Sequence, residues 1–357
     1  MNNQIVCLGL SPWQSGVPAR TEQLMARLAT DAQVVYFEPP GVRRGGKGRQ
    51  VRPNVMVYTL PAPSPLTPLH SALFRLWQRQ AGAFIARMLE RHRIHDPLLW
   101  VSNPEWYPMV RNLHRRGLIY DCNRYFSELP MEWESELAFS ADLCLAASPA
   151  LAAHLQPCND NVVVLPNGCN YPVFAQIAPR RSSGKTVLTY CGTLREDLDL
   201  SPLLACAEAH PEWEFRLAGG SEERFPAKSL GEQYPNLRFT GAYNPREMAA
   251  ILDGTDLCIN LLRRSQQLPD LIPNRIFEYL ASGRPIVSML YPDQIEVFAD
   301  TIYGASSSRE FISCCERALL ETNEALPERR RRHAQHASWA GRAQQVADIL
   351  NSIGLYS

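Results

Sequence analysis

The sequence lacks the long apolar run that a membrane-spanning helix requires, because no window of about 18 apolar residues occurs in it. Its start, MNNQIVCLGLSPW, has no basic stretch followed by an apolar core, which argues against a secretory signal peptide. Basic and acidic residues number 36 each, so the zero net charge gives no reason to expect nucleic acid as a partner. These absences predict a cytoplasmic protein.

The cysteines and histidines also lack the spacings of metal or redox sites. None of the ten cysteines forms a C-x-x-C pair, and the histidines show no convincing ligand pattern. Cys7, Cys144, Cys191 and Cys258 each lie inside an apolar run that predicts a strand, so buried free thiols are expected. The sequence therefore predicts neither a metal ion nor a bound cofactor.

Positive charge is concentrated in the first third of the chain. Residues 1–116 contain 15 lysine and arginine residues against 6 aspartate and glutamate residues. Several of these arginines lie in a predicted helix over 69–93, whose expected apolar face includes Leu73 and Leu76, and others lie in 43–52. A peripheral contact with the anionic inner face of a membrane is one interpretation, and a solvated helix face is the other.

Short apolar, β-branched runs alternate with longer amphipathic segments along the chain, which is typical of βαβ units around a parallel sheet. A length of 357 residues favours two domains. We expect an N-terminal domain over 1–170, a C-terminal domain over 171–335, and a final helix in 336–357 that packs back toward the first domain. The fold class is α/β.

The segment 268–289 is the most informative part of the sequence. Pro273 suits the first turn of a helix and Gly283 suits its end before the next strand. Asn274 and Arg275 would then lie at the positive end of the helix, where backbone N–H groups and a guanidinium can bind a diphosphate. Glu278, one turn further on, could accept hydrogen bonds from the two hydroxyls of a ribose.

This segment resembles the pattern P, x, K or R, x, x, E-Y-L-A-x-G-x-P-V-V-S of the GT-B-fold glycosyltransferases. The similarity is greatest to glycosyltransferase family 4 and its relatives in teichuronic acid and capsular polysaccharide biosynthesis. The residues that match are Pro273, Arg275, Glu278 to Ala281, Gly283 and Pro285 to Ser288. The resemblance implies two Rossmann-like lobes with parallel sheets facing a central cleft, and a nucleotide-sugar donor held by the C-terminal lobe.

Four further segments extend the resemblance over most of the chain: 34–41, 119–130, 165–170 and 190–194. In the family, the turn that matches 190–194 brings backbone N–H groups toward the donor phosphates. It implies donor contacts at Gly192 and Thr193, with Arg195 as the nearest cation. The segment 241–252 is similar to the loop that recognises the nucleobase, and Tyr243 could stack on the base or pack against the following helix.

The acidic residues of the family pattern are only partly present. Asp270 occupies the position of the first of two family glutamates that lie eight residues apart, the second of which matches Glu278. Asp121 matches the family's Y-D-C-x-D-D-F segment, in which Asn123 and Arg124 replace the later acids. The resemblance favours retention of anomeric configuration. Inversion would need a general base, for which Asp121 is the first candidate and Glu128 the second.

The loop after the first predicted strand lines the acceptor side of the cleft in GT-B enzymes. Trp13, Gly16 and Arg20 are the candidate acceptor-binding residues, with packing in the core as the alternative for Trp13. The predicted reaction is metal-independent transfer of a sugar from a nucleoside diphosphate sugar to a hydroxyl of a glycan or lipid-linked acceptor. Two alternatives remain open, a nucleotide-sugar epimerase of the same fold and a non-catalytic partner in a polysaccharide-assembly complex.

Overall fold

The computed structural model describes residues 3–13, 18–41, 47–64, 71–178, 184–195, 198–261, 270–289 and 293–356. The chain forms two compact units. Of the described residues, the first contains those up to Pro166 and those from Arg342 onward, and the second contains those within Asn167–Gly341.

The first unit is built on an eight-stranded sheet with the order β3-β4-β2-β1-β5-β6-β7-β8. All neighbouring strands are parallel except β3, which pairs antiparallel with β4 at the edge. The strands are β1 (Asn3–Leu8), β2 (Ala32–Glu38), β3 (Arg49–Arg52), β4 (Val55–Thr59), β5 (Leu98–Val101), β6 (Gly117–Cys122), β7 (Leu143–Ala146) and β8 (Val162–Val164). The central strands are almost entirely buried, as expected for parallel strands covered on both faces.

Five helices connect these strands, with a 3-10 turn at Pro104–Trp106. They are α1 (Arg20–Leu28), α2 (Ala72–Arg91), α3 (Tyr107–Val110), α4 (Met131–Ser140) and α5 (Pro149–Leu155). The predicted apolar face of α2 is wrong at Leu73 and Leu76, whose side chains are 59% and 50% exposed. The buried face instead includes Phe74, Trp77 and Ala81. The rings of Phe74 and Trp77 pack against each other, and the side of the helix that buries them leaves Leu73 and Leu76 on the exposed side.

The second unit has a six-stranded parallel sheet with the order β11-β10-β9-β12-β13-β14. Its strands are β9 (Val187–Cys191), β10 (Glu214–Ala218), β11 (Leu237–Gly241), β12 (Leu257–Asn260), β13 (Ile286–Met289) and β14 (Tyr303–Ala305). Its helices are α6 (Tyr171–Phe174), α7 (Ser201–Ala209), α8 (Ala227–Gln233), α9 (Pro245–Asp253), α10 (Asn274–Ser282), α11 (Ser308–Leu319) and α12 (Ala325–His336), with a 3-10 segment at Asp293–Phe298. A last helix, α13 (Trp339–Ser352), begins here, and its residues from Arg342 belong to the first unit.

The second sheet has an apolar core on each face. Residues of α7 and α11 contribute to one core, and residues of α6, α9, α10 and α12 contribute to the other. All ten cysteines are free, and Cys7, Cys144, Cys191 and Cys258 are buried, which confirms the prediction of buried thiols. These layers place the start of α10 beside the carboxyl end of β9, where the candidate site lies.

Candidate nucleotide-sugar site

The start of α10 has the features of an anion-binding helix start. Pro273 precedes the helix in an extended conformation, with φ −64° and ψ 147°, so it is the residue before the first turn rather than part of it. No described side chain caps the helix start, and the first turn contains no acidic residue. The first N–H groups of a helix lack partners within the helix and carry a partial positive charge. Asn274, which is half-buried, is the first helical residue.

Arg275 lies over the side chain of a tyrosine on the neighbouring strand. Its guanidinium carbon is 4.8 Å from the centre of the Tyr190 ring, and Nη1 donates a hydrogen bond to the Tyr190 hydroxyl. Within the described part of the chain, that hydroxyl is the only hydrogen-bond acceptor of the guanidinium. Burial lowers the pKa of Arg275, but the neighbouring Tyr190, Tyr279 and Tyr243 raise it by more, so the side chain stays charged.

Glu278 presents a carboxylate with no hydrogen-bond or ion-pair partner among the described residues. Its side chain is half-buried, and it accepts no hydrogen bond from any described residue. Burial raises the pKa of Glu278 to about 7, against the opposing effect of the positive charge on Arg275. A partly buried carboxylate without a hydrogen-bond partner costs free energy. Its position on the same helix as Arg275 therefore indicates a ligand-binding role.

The turn after β9 brings the backbone close to Arg275. Gly192 has φ +153°, and a Cβ atom there would lie 2.9 Å from the guanidinium carbon of Arg275. The N–H of Gly192 donates to the carbonyl of Ala218, and a Cβ on Gly219 would lie 1.9 Å from the carbonyl oxygen of Gly192. Both positions therefore need glycine for close approach of the strand ends.

The remaining predicted donor residues differ in how far they are buried. Thr193 is exposed and Arg195 is half-buried. Tyr243 packs against the apolar core that contains Ile276, and burial, together with Cys191 and Glu278, raises its pKa. Asp270 is buried, with 9% of its surface exposed. The structure thus brings Arg275, Glu278, Gly192 and Tyr243 together at one end of the second sheet.

Two candidate residues in the first unit form a buried ion pair. Nε of Arg20 is 2.9 Å from Oδ1 of Asp121, and the two residues are 5% and 0% exposed. Beside this pair, the hydroxyls of Thr21 and Ser102 are hydrogen-bonded at 3.2 Å. The N-terminus of α1 and the carboxyl end of β6 are therefore joined by charge as well as by packing.

The other first-unit candidates lie in distinct surroundings. Trp13 is 9% exposed and meets the ring of Tyr36 edge-on, with 5.2 Å between ring centres. Its backbone N–H donates to Glu38 at 3.0 Å. Glu128 is exposed and pairs with Arg124. Gly16 lies outside the described residues.

Comparisons with known proteins agree with this arrangement. Residues 195–348 match a family model described as glycosyl transferase-like. TuaH of Bacillus subtilis, whose name assigns it to teichuronic acid biosynthesis as a glycosyltransferase, is 25% identical, and the match covers 68% of each chain. The chain is a glycosyltransferase with the GT-B fold.

Two solved structures share this fold over nearly the whole length of the glycosyltransferase. Sucrose-phosphate synthase from Thermosynechococcus elongatus matches 99% of each chain at 15% identity, with a TM-score of 0.77. HepE of Anabaena, solved in complex with UDP and glucose, covers 98% of this chain and 99% of its own at 16% identity, with a TM-score of 0.71. The predicted GT-B fold class is therefore confirmed, and the similarity of fold extends over nearly the whole chain.

Sequence reasoning missed two residues of the glycosyltransferase that hold others in place. Tyr190 supports Arg275, although it was visible only as the tyrosine of a Y-x-G-x-L motif. Glu38 accepts hydrogen bonds from Trp13, Arg49 and Thr59, and its signal was a single acid at the end of an apolar strand. Both roles depend on contacts between segments that are distant in sequence.

The described residues include no group of three or more His, Cys, Asp or Glu side chains placed to hold a metal ion. No helix in the described ranges combines the length and the hydrophobicity that crossing a bilayer requires.

Proposed function

We propose that this glycosyltransferase binds a nucleoside diphosphate sugar at the start of α10 and transfers the sugar to a hydroxyl of a glycan or lipid-linked acceptor in surface polysaccharide biosynthesis. One observation carries the proposal: Arg275 and Glu278 present a charged guanidinium and a half-buried carboxylate beside an uncapped helix start. The names of TuaH and of the HepE complex with UDP and glucose support this class of donor and pathway.

The roles of the donor-side residues follow from their chemistry. The diphosphate would bind Arg275 and the N–H groups at Asn274, next to the close backbone turn at Gly192 and Thr193. Arg195 lies on the same loop as that turn and would add positive charge. Glu278 would accept hydrogen bonds from the ribose hydroxyls, and Tyr243 would lie beside the nucleobase.

The largest catalytic contribution would be stabilisation of the leaving nucleoside diphosphate. Charge that develops on the departing oxygen meets groups already fixed in place, so little reorganisation is needed. Arginine and a helix start supply this charge without a divalent ion, and we propose metal-independent transfer on that ground. Activity that persists in excess EDTA would agree, and activity restored only by added Mg²⁺ or Mn²⁺ would contradict it.

Three carboxylates are candidates for roles beside the sugar and the acceptor. Asp270 would approach the donor sugar, although its side chain is one methylene shorter than the glutamate of the family. Asp121 and Glu128 remain candidates for a base, and each is ion-paired to an arginine, Arg20 and Arg124 respectively. Retention of configuration would require neither of them, and NMR of the product anomer decides between the two outcomes.

A thermal-shift panel of UDP-, GDP-, TDP- and CMP-sugars tests the donor site, because a ligand that binds only the folded state raises the melting temperature. At about 100 times Kd the stabilisation is about 2.7 kcal/mol, which corresponds to a rise of several degrees. One donor class is expected to produce the rise, and Arg275→Ala and Glu278→Gln are each expected to reduce it.

Matched controls make this result specific. Among the described residues, Arg238, exposed on β11, donates only to the carbonyls of Pro235 and Leu237, and Glu232 is exposed on α8. Arg238→Ala and Glu232→Gln should keep the full shift. An equal loss in all four variants, or no shift with any donor, would contradict the proposed site. Interconversion of a donor sugar in the absence of acceptor would instead identify an epimerase.

We also propose that the exposed face of α2 contacts the anionic inner face of the membrane. Leu73 and Leu76 are 59% and 50% exposed there, and Arg75, Arg79 and Arg87 are exposed on the same helix. Exposed leucines beside arginines suit insertion at the headgroup boundary with attraction to anionic lipid.

Liposome co-sedimentation tests this surface. Binding should rise with the fraction of phosphatidylglycerol, fall with salt, and drop when Leu73 and Leu76 are both replaced by serine. Leu320→Ser, which changes a leucine that is 77% exposed in the second unit, is the matched control. Binding that ignores anionic lipid content would remove the proposal.

A further inference from the structure

Tyr190 is fully buried beneath the charged end of Arg275. Its side chain has 0% exposure, its ring faces the guanidinium carbon at 4.8 Å, and its hydroxyl accepts the hydrogen bond from Nη1. The ring attracts the cation through its π-face, and the hydroxyl fixes the rotation of the planar group. One tyrosine therefore restrains both the distance of the guanidinium from the Tyr190 ring and its orientation.

Gly192 restrains the guanidinium from another side. A Cβ atom at this position would lie 2.9 Å from the guanidinium carbon, 3.0 Å from Nη2 and 3.0 Å from the Tyr190 hydroxyl. Only a residue without a side chain leaves this space to Arg275. Tyr190 at the end of β9 and Gly192 in the turn after it thus both contact the guanidinium.

A second tyrosine fixes the helix that carries Arg275. The backbone N–H of Cys191 donates to the hydroxyl of Tyr279 at 2.7 Å, and Tyr279 is fully buried. Tyr190 and Cys191 are consecutive on β9, while Arg275 and Tyr279 lie one turn apart on α10. Two adjacent strand residues therefore hold both ends of the helical turn that contains Glu278.

We infer that Tyr190 is a positioning residue that sets the Arg275 guanidinium in place before a diphosphate arrives. The inference rests on the proposed function, since it gives Arg275 the phosphate-binding role. A long arginine side chain loses rotamer freedom on binding, and prior ordering removes that cost. The guanidinium has five N–H donors, of which Tyr190 engages one and leaves others for phosphate oxygens.

The test compares Tyr190→Phe with the wild type by calorimetry, with UDP and GDP as probes. The change keeps the ring and removes the acceptor of the Arg275 hydrogen bond. Loss of one such bond is expected to weaken diphosphate binding about five- to tenfold. Tyr234→Phe, which removes an exposed hydroxyl bonded to Glu208, should leave the affinity unchanged.

A double-mutant cycle separates positioning from a structural role. In the Arg275→Ala background, Tyr190→Phe is expected to change diphosphate affinity by less than about twofold, because the group it positions is gone. A structural role would weaken binding by the same factor in both backgrounds. Tyr279→Phe provides the contrast, since removing the partner of a buried N–H should lower the melting temperature.

Each outcome has a separate meaning. If the wild type binds UDP or GDP and Tyr190→Phe binds as tightly, the positioning role is overturned and the donor site stands. If the loss is the same with and without Arg275, Tyr190 acts on the fold rather than on Arg275, and the inference fails. If the wild type binds neither diphosphate, the proposed function fails first and the inference fails with it.

Discussion

Arg275 and Glu278 lie one turn apart on α10, yet in the part of the chain that the structure describes neither is within ion-pair distance of an opposite charge. Arg275 is directed to the Tyr190 hydroxyl and Glu278 makes no hydrogen bond to a described residue. Opposite charges spaced this way on a helix usually attract each other. Holding them apart leaves one cation and one carboxylate for two different parts of a ligand.

Glu278→Gln is expected to stabilise the free protein while it weakens donor binding. The pKa of Glu278 is raised from 4.5 to about 7, so between these values the folded state holds a proton that the unfolded state has released. The free energy of unfolding therefore falls as pH rises through this window, and the loss is complete above pH 7. A neutral glutamine avoids the loss.

The measurement is chemical denaturation of wild type and variant at pH 4.5 and pH 8. The stability difference in favour of Glu278→Gln should be near zero at pH 4.5 and clearly positive at pH 8. Donor affinity should fall about tenfold or more, as expected for hydrogen bonds to a charged group. A variant that is less stable than the wild type at pH 8 would show that Glu278 has a stabilising partner.

Gly192→Ala is expected to lower both stability and diphosphate affinity. The new Cβ would crowd the Arg275 guanidinium at 2.9 Å, and the φ of +153° adds backbone strain of about 1–3 kcal/mol. Gly184→Ala is the control, because Gly184 has φ +110° but nothing lies within 4 Å of its Cβ position. The control should show a stability loss alone. Equal affinity losses in both variants would remove the crowding argument.

The Arg20–Asp121 pair predicts strong coupling between two residues that are 101 positions apart. Asp121→Asn removes the negative charge that Asp121 places 2.9 Å from Nε of the buried Arg20, and breaking a buried pair costs about 3–5 kcal/mol. The double variant Arg20→Met with Asp121→Asn should be less destabilised than the sum of the single changes, as measured by urea unfolding. Additive losses would mean that the pair contributes no interaction energy.

The main outline of the fold was accessible from the sequence because parallel strands that are buried on both faces appear as apolar runs. β9 and β13 are examples, with nearly every residue buried. The short edge strands β3 and β14 were missed, since their sequences, RQVR and YGA, lack the apolar β-branched run that marks the equally short β8, VVV. The predicted buried face of α2 wrongly included Leu73 and Leu76. Periodicity shows that a helix has an apolar face, but it does not show which apolar residues at the edge of that face are covered by other elements.

The candidate site was predictable where it is local in sequence. Pro273, Arg275 and Glu278 belong to one helix start, and a single stretch of residues carries their chemistry. The contact between Tyr190 and Arg275 was not predictable, because it depends on how closely β9 approaches α10, and the two residues are 85 positions apart along the chain. The Arg20–Asp121 pair has the same origin, since contact between the start of α1 and the end of β6 depends on tertiary structure.

Asn274→Asp tests the charge at the helix start by separating stability from binding. A carboxylate in the first turn of α10 should stabilise the helix by about 0.3–1 kcal/mol through its interaction with the helix dipole. The same negative charge should repel a diphosphate and weaken UDP or GDP binding several-fold. Thermal denaturation should therefore show a higher melting temperature, and calorimetry a lower affinity, in the same variant.

Ser308→Asp is the matched control, because Ser308 is the first residue of α11 in the same unit. It should raise the melting temperature by a similar amount and leave diphosphate affinity unchanged. If Asn274→Asp bound UDP and GDP as tightly as the wild type, the phosphates would have to lie away from the start of α10, because a negative charge placed beside them cannot be without effect.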